Sequence, residues 1–436
     1  MATISTAELI SKHIIQPSTP TPCHLKNYSL SLIDQYVPPI FVPIILFYPA
    51  AVNGTGSKQL DDDLELLKLS LSKTLVHFYP MAGRLKDNIT VDCNDEGIEF
   101  LIVKIKDKMC DFLMEPDEQL SRLLPSEVVS MNFLRDAQVI VQVNIFECGA
   151  TAVSLCISHK IADICSVATF FRSWVHTSTV ARGAGNTNQK LHPTFESAAL
   201  FPPSKQLLSL SGLPPTLPDL YPSGETKSDN KIISKRFVFN SVIINSLRGK
   251  LLALVDDKFR RPTRVEIVSA LIWKSRLDPP LQDVSFGNLV TSTEAVIAVA
   301  ASTKTTLQKT TSSNTNKTNQ LQQLVLHEFY EFICQLREAI SKIKGDSSCI
   351  LHRGDHNSVG DEVRVLWMTS WCNFGFYEID FGWGKQIWVT TDATLFPHKN
   401  NFVMNDTICS EGIEVWVNLV EDYMAEFQIN LAELLN

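Results

Sequence analysis

The sequence lacks any uninterrupted apolar run of the roughly 18 residues that a membrane helix requires. It also has no basic segment followed by an apolar stretch near its start, the pattern of a secretion signal. We therefore expect a soluble protein of the cytoplasm with no membrane partner. Acidic residues outnumber basic ones by 47 to 39, which gives a net charge of −8. This balance argues against nucleic acid or an anionic surface as a partner.

Several sequence motifs of common enzyme classes are absent. The ten cysteines show no paired CxxC spacing, and those in apolar strings, such as Cys156, predict reduced, buried thiols rather than a disulfide or zinc framework. There is no Walker lysine loop, no GxGxxG after a strand and no GxSxG elbow. His352 and His356 are four residues apart, but the polar residues between them favour a surface loop over a metal site. We expect no metal.

What is present is a chain of 436 residues, 44% of them hydrophobic, for which two domains are the better expectation. The apolar run 42–48 predicts a buried strand. A helix over residues 61–76 is predicted by leucines at three- and four-residue spacing: Leu64, Leu67, Leu71 and Leu75. The acidic triplet 61–63 would then lie at the start of that helix, in solvent, where it complements the helix dipole.

The rest of the first half continues this alternation of strands and helices. Residues 88–91 and 98–105 predict a hairpin around the turn residues between them. Two further strands are predicted over 139–146 and 151–157, and the second runs directly into Ser158 and His159. A helix is predicted over 162–175.

The second half begins after a change of composition. Residues 182–230 are rich in Pro, Gly, Ser and Asn, and the stretch is long enough to predict a crossover between a domain of residues 1–181 and one of residues 231–436. Polar residues 302–319 predict a mobile loop. The elements predicted for the second domain are strands at 232–239, 363–368, 386–391, 401–404 and 412–419, helices at 265–274 and 325–343, and a terminal helix.

His159 is the first candidate for chemistry, since it stands between a predicted strand and a predicted helix, where a side chain can be presented to a cleft. Imidazole titrates near neutral pH, so His159 could take a proton from an attacking alcohol. Asp163 follows four residues later; it could orient the ring if the turn is helical, but would point elsewhere from a loop. HxxxD alone is a weak signal, and a partly buried structural histidine is the alternative.

The second candidate is the DFGWG segment at residues 380–384. Gly382 and Gly384 permit tight turns around Trp383, and Asp380 can brace the loop. Taken alone, this pattern favours a structural turn over a catalytic site.

The two stretches together, in this order and more than two hundred residues apart, resemble the two signatures of the BAHD acyltransferase family. Residues 72–84, 91–94 and 285–288 resemble family segments as well, so the resemblance covers nearly the whole chain. Within the family, residues 71–83, 278–284 and 405–407 are similar to the alkaloid O-acetyltransferase branch.

The resemblance implies an α/β fold of two chloramphenicol-acetyltransferase-like domains, with mixed β-sheets flanked by helices and joined by a long crossover loop. A channel between the domains would admit acyl-CoA from one side and the alcohol from the other. The implied reaction is transfer of acetyl from acetyl-CoA to a hydroxyl of a benzylisoquinoline or morphinan-type alkaloid. Acetyl-CoA would be a cosubstrate, with no bound cofactor, and the protein a monomer.

The resemblance also implies residue roles. His159 would be the general base, while Asp163, Asp380, Gly382 and Gly384 would support the site structurally. Trp383 is a candidate for stabilising the oxyanion, which needs preorganised donors. The candidates for binding the CoA phosphates are Lys235, Arg236 and Thr263.

Two departures from the family pattern set up a rival hypothesis. After Lys274 the chain passes at once to the Asp-Pro-Pro turn at 278–280, where the family has a strand carrying Asn-Leu-Arg. That arginine pairs with the HxxxD aspartate in the family, so we expect Asp163 to lack this partner. The stretch 347–361 is also shortened. The rival is a catalytically impaired paralogue that binds alkaloid or CoA without turnover.

Asn373 bears on the acceptor. Many family members have arginine at this position, and in the shikimate-type branch that arginine grips a carboxylate of the acceptor. Asn373 therefore favours a neutral or cationic acceptor.

Overall fold

The computed structural model describes residues 7–37, 40–50, 57–116, 119–126, 128, 136–183, 192–204, 231–255, 259–275, 314–345, 366–395 and 400–435. The chain divides into two compact units. The first unit comprises Met1–Lys227 with Phe374–Pro397, and the second comprises Ser228–Asn373 with His398–Asn436. Each contains a mixed β-sheet and helices, so the predicted α/β class is confirmed.

The main sheet of the first unit has six strands in the order β1-β6-β7-β8-β3-β11. Their bounds are β1 (Ala7–Ile15), β3 (Phe41–Tyr48), β6 (Ile98–Ile105), β7 (Val139–Phe146), β8 (Thr151–Ser158) and β11 (Trp388–Thr390). A smaller sheet contains β2 (Asn27–Ser29), β5 (Thr90–Asp92) and β4 (Arg84–Leu85). Every residue of β3 and β8 is buried, which explains why β3 is a continuous apolar run and why most residues of β8 are apolar.

The predicted hairpin over residues 88–105 is wrong, although both of its strands exist. Strand β5 pairs with β2 and β4, whereas β6 pairs with β1 and β7 in the other sheet. The residues between them are held by a distant partner rather than by a hairpin turn, since the Asp95 carboxylate accepts hydrogen bonds from Thr21 N at 2.9 Å and from Lys26 Nζ at 2.7 Å.

The helices of the first unit are α1 (Leu32–Tyr36), α2 (Ser57–Leu75), α3 (Met109–Phe112), α4 (Ile164–Ala181) and α5 (Ser197–Leu200). Helix α2 packs against α4, and the four leucines that predicted α2 are all buried. The prediction for the acidic triplet 61–63 is wrong in two respects, because α2 is already helical from Ser57 and Asp63 is buried, with 8% of its surface exposed. Asp61 and Asp62 are exposed, as predicted.

The DFGWG segment lies in the first unit rather than in the one to which the boundary 231–436 would assign it. The physical reason is strand pairing: β11 adds to the edge of the first sheet, with Val389 opposite Leu46 of β3. Of the predicted crossover 182–230, the structure describes residues 182–183 and 192–204, which include α5. The remainder lies outside the described residues.

The sheet of the second unit has the order β10-β12-β13-β9. Its strands are β9 (Ile232–Phe239), β10 (Trp367–Ser370), β12 (Asn401–Asp406) and β13 (Ile413–Val420), and its helices are α6 (Ser241–Leu252), α7 (Arg264–Ser275), α8 (Asn314–Gly345) and α9 (Glu421–Leu435). Helix α7 is buried along most of its length and contributes Ile267, Leu271 and Trp273 to the core. In the described part of the chain, no helix has both the length and the apolar character to cross a bilayer.

Helix α8 corrects one loop prediction. It begins at Asn314, so the last residues of the loop predicted over 302–319 are helical, and residues 302–313 lie outside the described part. The segment after Ser275 that should contain the missing strand, and the shortened stretch 347–361, also lie outside it.

Candidate active site

His159 occupies a tight turn between β8 and α4. The turn is fixed by main-chain hydrogen bonds, from His159 N to Ile40 O at 2.8 Å and from Ile161 N to Ser158 O at 3.1 Å. The Nδ1 atom of the ring is enclosed and makes no hydrogen bond to another described residue. Burial lowers the pKa of His159, its own main chain and the Asp163 carboxylate act in the opposite direction, and Lys160 adds to the lowering. The ring is therefore neutral, and able to accept a proton, at pH 7.

Asp163 is the N-cap of α4. Its side chain accepts a hydrogen bond from Ser166 N at 2.8 Å, and only 6% of its surface is exposed. Residues 159–163 form a turn ahead of the helix and are not themselves helical. Of the two alternatives, Asp163 therefore follows the one in which it points away from the imidazole. The carboxylate thus accepts from a main-chain N–H that has no partner within the helix, at the N-terminus of the helix that follows the turn.

Replacing Asp163 with alanine should lower the free energy of unfolding by about 1 kcal/mol and reduce kcat by less than tenfold. Denaturant unfolding and initial rates on the same preparation would measure both. Asn240→Ala is a matched control, because Asn240 caps α6 through Ile243 N at 2.9 Å. It should lose similar stability with no change in rate. Complete loss of activity at unchanged stability in Asp163→Ala would contradict the prediction.

The DFGWG segment is a loop closed by its own aspartate. Asp380 Oδ1 accepts hydrogen bonds from Gly382 N at 2.7 Å and from Gly384 N at 2.9 Å. Both glycines have φ of +92°, a conformation that residues with a side chain rarely adopt. The two glycines thus let the backbone fold back onto the carboxylate.

Trp383 donates its indole N–H to Asp63 Oδ2 at 3.2 Å. The other carboxylate oxygen of Asp63 pairs with Arg182 Nη2 at 2.8 Å, and the same nitrogen donates to Phe381 O at 3.1 Å. The sequence-based assignment of Trp383 as an oxyanion donor is therefore corrected: its one donor is committed to α2, and it fixes the loop.

Asp63 belongs to this cluster, although the sequence pattern predicts only a solvent-exposed acidic triplet at this position. The available signal was its spacing, since Asp63 stands four residues before Leu67 and so shares the buried face of α2.

Tyr48 attaches the same loop to the sheet. Its hydroxyl donates to Ile379 O at 2.7 Å and accepts from Gln386 Nε2 at 3.0 Å, and its ring meets Trp383 edge to face at 5.5 Å. Burial, with the charge of Asp380, raises the pKa of Tyr48 well above its usual value, so the phenol keeps its proton and donates. The loop is thereby fixed to β3, the neighbour of the strand that ends at His159.

The three candidates for CoA phosphates lie in the second unit, and each has a polar partner there. Lys235 Nζ donates to Gln428 at 3.0 Å, and Arg236 pairs with Glu414 at 3.1 Å. The Thr263 hydroxyl accepts from Glu266 N at 3.1 Å at the start of α7. Their role in binding CoA stays a prediction.

Asn373, at the position where many family members have arginine, is hydrogen-bonded to a nearby arginine, Arg264. Its Oδ1 accepts from Arg264 Nη2 at 2.9 Å, and its main-chain N–H donates to Asp406 at 2.6 Å. Arg264 also pairs with Asp406 at 3.0 Å. The φ of Asn373 is +67°, a value that asparagine tolerates better than most residues. Among the described residues there is no group of three or more side chains that could hold a metal ion.

Comparison with known proteins gives three full-length similarities. The Transferase family model matches residues 6–277 and 274–434. Two Papaver somniferum proteins, (13S,14R)-1,13-dihydroxy-N-methylcanadine 13-O-acetyltransferase and salutaridinol 7-O-acetyltransferase, are 51% and 50% identical, over 100% of this chain and 99% of each relative. Vinorine synthase of Rauvolfia serpentina is 32% identical over 98% of both chains. Its crystal structure superposes with a TM-score of 0.74, over 98% of both chains at 30% identity.

The family match is interrupted at one place. Its two segments meet at residues 274–277, directly after α7, where the sequence passes to the Asp-Pro-Pro turn without the expected strand. The alignment with the first Papaver protein runs to 481 residues and includes the whole of this chain, which has 436. The relative thus has residues that this chain lacks.

Proposed function

This chain belongs to the BAHD transferase family of acyl-CoA-dependent O-acyltransferases, and on that premise we propose that it acetylates a secondary hydroxyl of a benzylisoquinoline or morphinan-type alkaloid. The observation that carries the proposal is the identity of about half, over the full length, to two alkaloid O-acetyltransferases. The acetyl donor is acetyl-CoA, a cosubstrate that leaves as CoA.

In the proposed mechanism, His159 Nε2 takes the proton of the acceptor hydroxyl while the alcohol oxygen attacks the thioester carbonyl. The tetrahedral intermediate collapses by breaking the carbon–sulfur bond, and the imidazolium returns its proton to the departing thiolate of CoA. The products are the acetyl ester and CoA. The neutral form of the ring is the working form, which fits the direction in which burial moves the pKa of His159.

The acceptor is expected to be neutral or cationic. Around Asn373, the Arg264 guanidinium is already paired with Asp406 at 3.0 Å, so this part of the second unit offers a polar amide rather than an uncompensated cation. An acceptor carboxylate would gain little there. An acceptor that carries a tertiary amine in place of a carboxylate does not need a cation at this position.

The test is turnover by the purified full-length protein with acetyl-CoA and a panel of acceptors. Salutaridinol and (13S,14R)-1,13-dihydroxy-N-methylcanadine are the alkaloid alcohols named for the relatives, and shikimate is the carboxylated control. We expect release of CoA, together with a product heavier than the acceptor by the mass of one acetyl group, from at least one alkaloid and none from shikimate. Ester formation from shikimate alone would overturn the proposal.

A catalytically impaired paralogue is the second candidate, and the interruption of the family match at residues 274–277 favours it. The stability lost with a core strand can exceed the whole free energy of unfolding of a domain, which is roughly 5–15 kcal/mol. Calorimetric binding of CoA or alkaloid without ester formation would support this reading. Sequencing the transcript is the first control, because a restored segment after Lys274 would remove its basis.

A further inference from the structure

Lys160, the residue after His159, is a buried cation with a complete set of acceptors. Only 1% of its surface is exposed. Its Nζ atom donates to Asp34 O at 3.1 Å, to Gln35 O at 2.9 Å and to Asn88 Oδ1 at 2.8 Å. Burying an ammonium group is costly unless its donors are satisfied, so these contacts hold the side chain in one place.

The acceptors belong to well-fixed parts of the first unit. Asp34 and Gln35 are in α1, whose N-terminus is closed by a capping box between Ser31 and Asp34. The Gln35 side chain accepts from Ser204 N at 2.7 Å and so ties the helix to the chain beyond α5. Lys160 therefore donates to a helix whose N-terminus is capped and whose residue Gln35 is hydrogen-bonded to the chain beyond α5.

Lys160 also acts electrostatically on groups around the turn. Burial raises the pKa of Asp34, the nearby Asp163 carboxylate adds to this, and Lys160 opposes it. Lys160 is thus a positive charge close to Asp34 and next to the turn residue His159.

Among the described residues, no other side chain holds the Nδ1 atom of the imidazole. Its Nδ1 atom is enclosed without a hydrogen bond from any described residue, whereas a general base is commonly held by a third group. The orientation of the ring then depends on the main chain of the turn, and the side chain next to it in sequence is held by three hydrogen bonds.

We propose that Lys160 is a positioning residue, which pins the turn carrying His159 to the end of α1 and to Asn88 and so fixes where the imidazole meets the acceptor hydroxyl. This inference rests on the proposed function. It assigns Lys160 no contact with substrate.

The test compares Lys160→Met with Lys104→Met, in which an exposed lysine of β6 is changed in the same way. A displacement of about 1 Å of a catalytic group lowers rates about 100-fold, so Lys160→Met should lower kcat by about that factor while KM for acetyl-CoA stays within about twofold. The acid limb of the rate profile should move to higher pH, because a charge that lowers the pKa of His159 is gone. Lys104→Met should change neither.

A lower melting temperature with unchanged kcat and pH profile would mean that Lys160 is only structural, and would overturn the proposal. If Lys160→Met does not fold, Asn88→Ala removes one acceptor and should lower kcat about tenfold; an unchanged kcat would overturn the proposal equally. The NMR signals of the His159 ring can be followed without turnover. If the wild-type protein acetylates no acceptor, the proposed function fails. Ring chemical shifts that are the same in Lys160→Met and in the wild type, both in the fully neutral form, would separately contradict the positioning role.

Discussion

Replacing His159 with alanine should lower kcat by at least about 10³-fold, within the range that general acid–base groups contribute. The loss falls on the step in which the acceptor hydroxyl is deprotonated, so binding of acetyl-CoA should be unaffected. The fold should survive, because Nδ1 of the ring makes no hydrogen bond to another described residue and the residue is partly exposed. Initial rates with the best alkaloid acceptor and a thermal melt would measure both outcomes.

His24→Ala is the matched control, since His24 is an exposed histidine of the same unit and its loss should leave the rate unchanged. An active His159→Ala protein would remove His159 from the mechanism. If the variant loses both its activity and its cooperative thermal unfolding, His159 is a structural histidine. This is the alternative that the HxxxD motif alone leaves open.

The largest expected loss of stability comes from Glu266→Ala in the second unit. Glu266 is buried, with 6% of its surface exposed, and its carboxylate accepts from Arg337 Nε at 2.7 Å, from Arg337 Nη2 at 3.0 Å and from Thr263 N at 2.6 Å. Removing one partner of a buried pair leaves the other charge uncompensated, which costs about 3–5 kcal/mol. Denaturant unfolding would measure it.

The matched control is Arg260→Ala, which removes an arginine that pairs with the same carboxylate but whose side chain is 68% exposed. Its cost should be below about 1 kcal/mol, and equal losses in the two variants would contradict the argument.

The pH dependence of stability offers a second check on Glu266. Burial alone would raise the pKa of Glu266, but the hydrogen bonds from Arg337 and Thr263 and the charge of Arg337 together outweigh it, and the pKa is lowered from its usual 4.5. A lowered carboxyl pKa contributes stability above the unfolded value that is lost as pH falls through the folded one. The difference between wild type and Glu266→Ala should therefore be full at neutral pH and shrink below about pH 4.5.

The elements with strong local patterns could be predicted from the sequence. Strand β3 is apolar throughout and β8 largely so, because every residue of both strands is buried, and the leucines of α2 repeat with the helical period. His159 could also be located, since its position depends only on the junction of one strand with one helix.

The features that failed are those set by distant partners. The hairpin over residues 88–105 was wrong because a strand's neighbour is chosen by the whole sheet, not by the turn beside it. Asp63 was misread because its role depends on Trp383 and Arg182, which are far away in sequence. The same holds for Trp383: its glycines predicted a turn, but nothing local indicates which acceptor its indole N–H would find.

The late position of β11 in the chain affects how the protein is made. Strands β1 to β8 leave the ribosome first, and until residues 388–390 follow, β3 stands at an open sheet edge with all eight of its residues apolar or otherwise suited to burial. Such an edge invites pairing with other chains. The first unit can close only after most of the second has been synthesised, so nascent chains should depend on chaperones over this interval, and fragments that stop before Phe374 should aggregate.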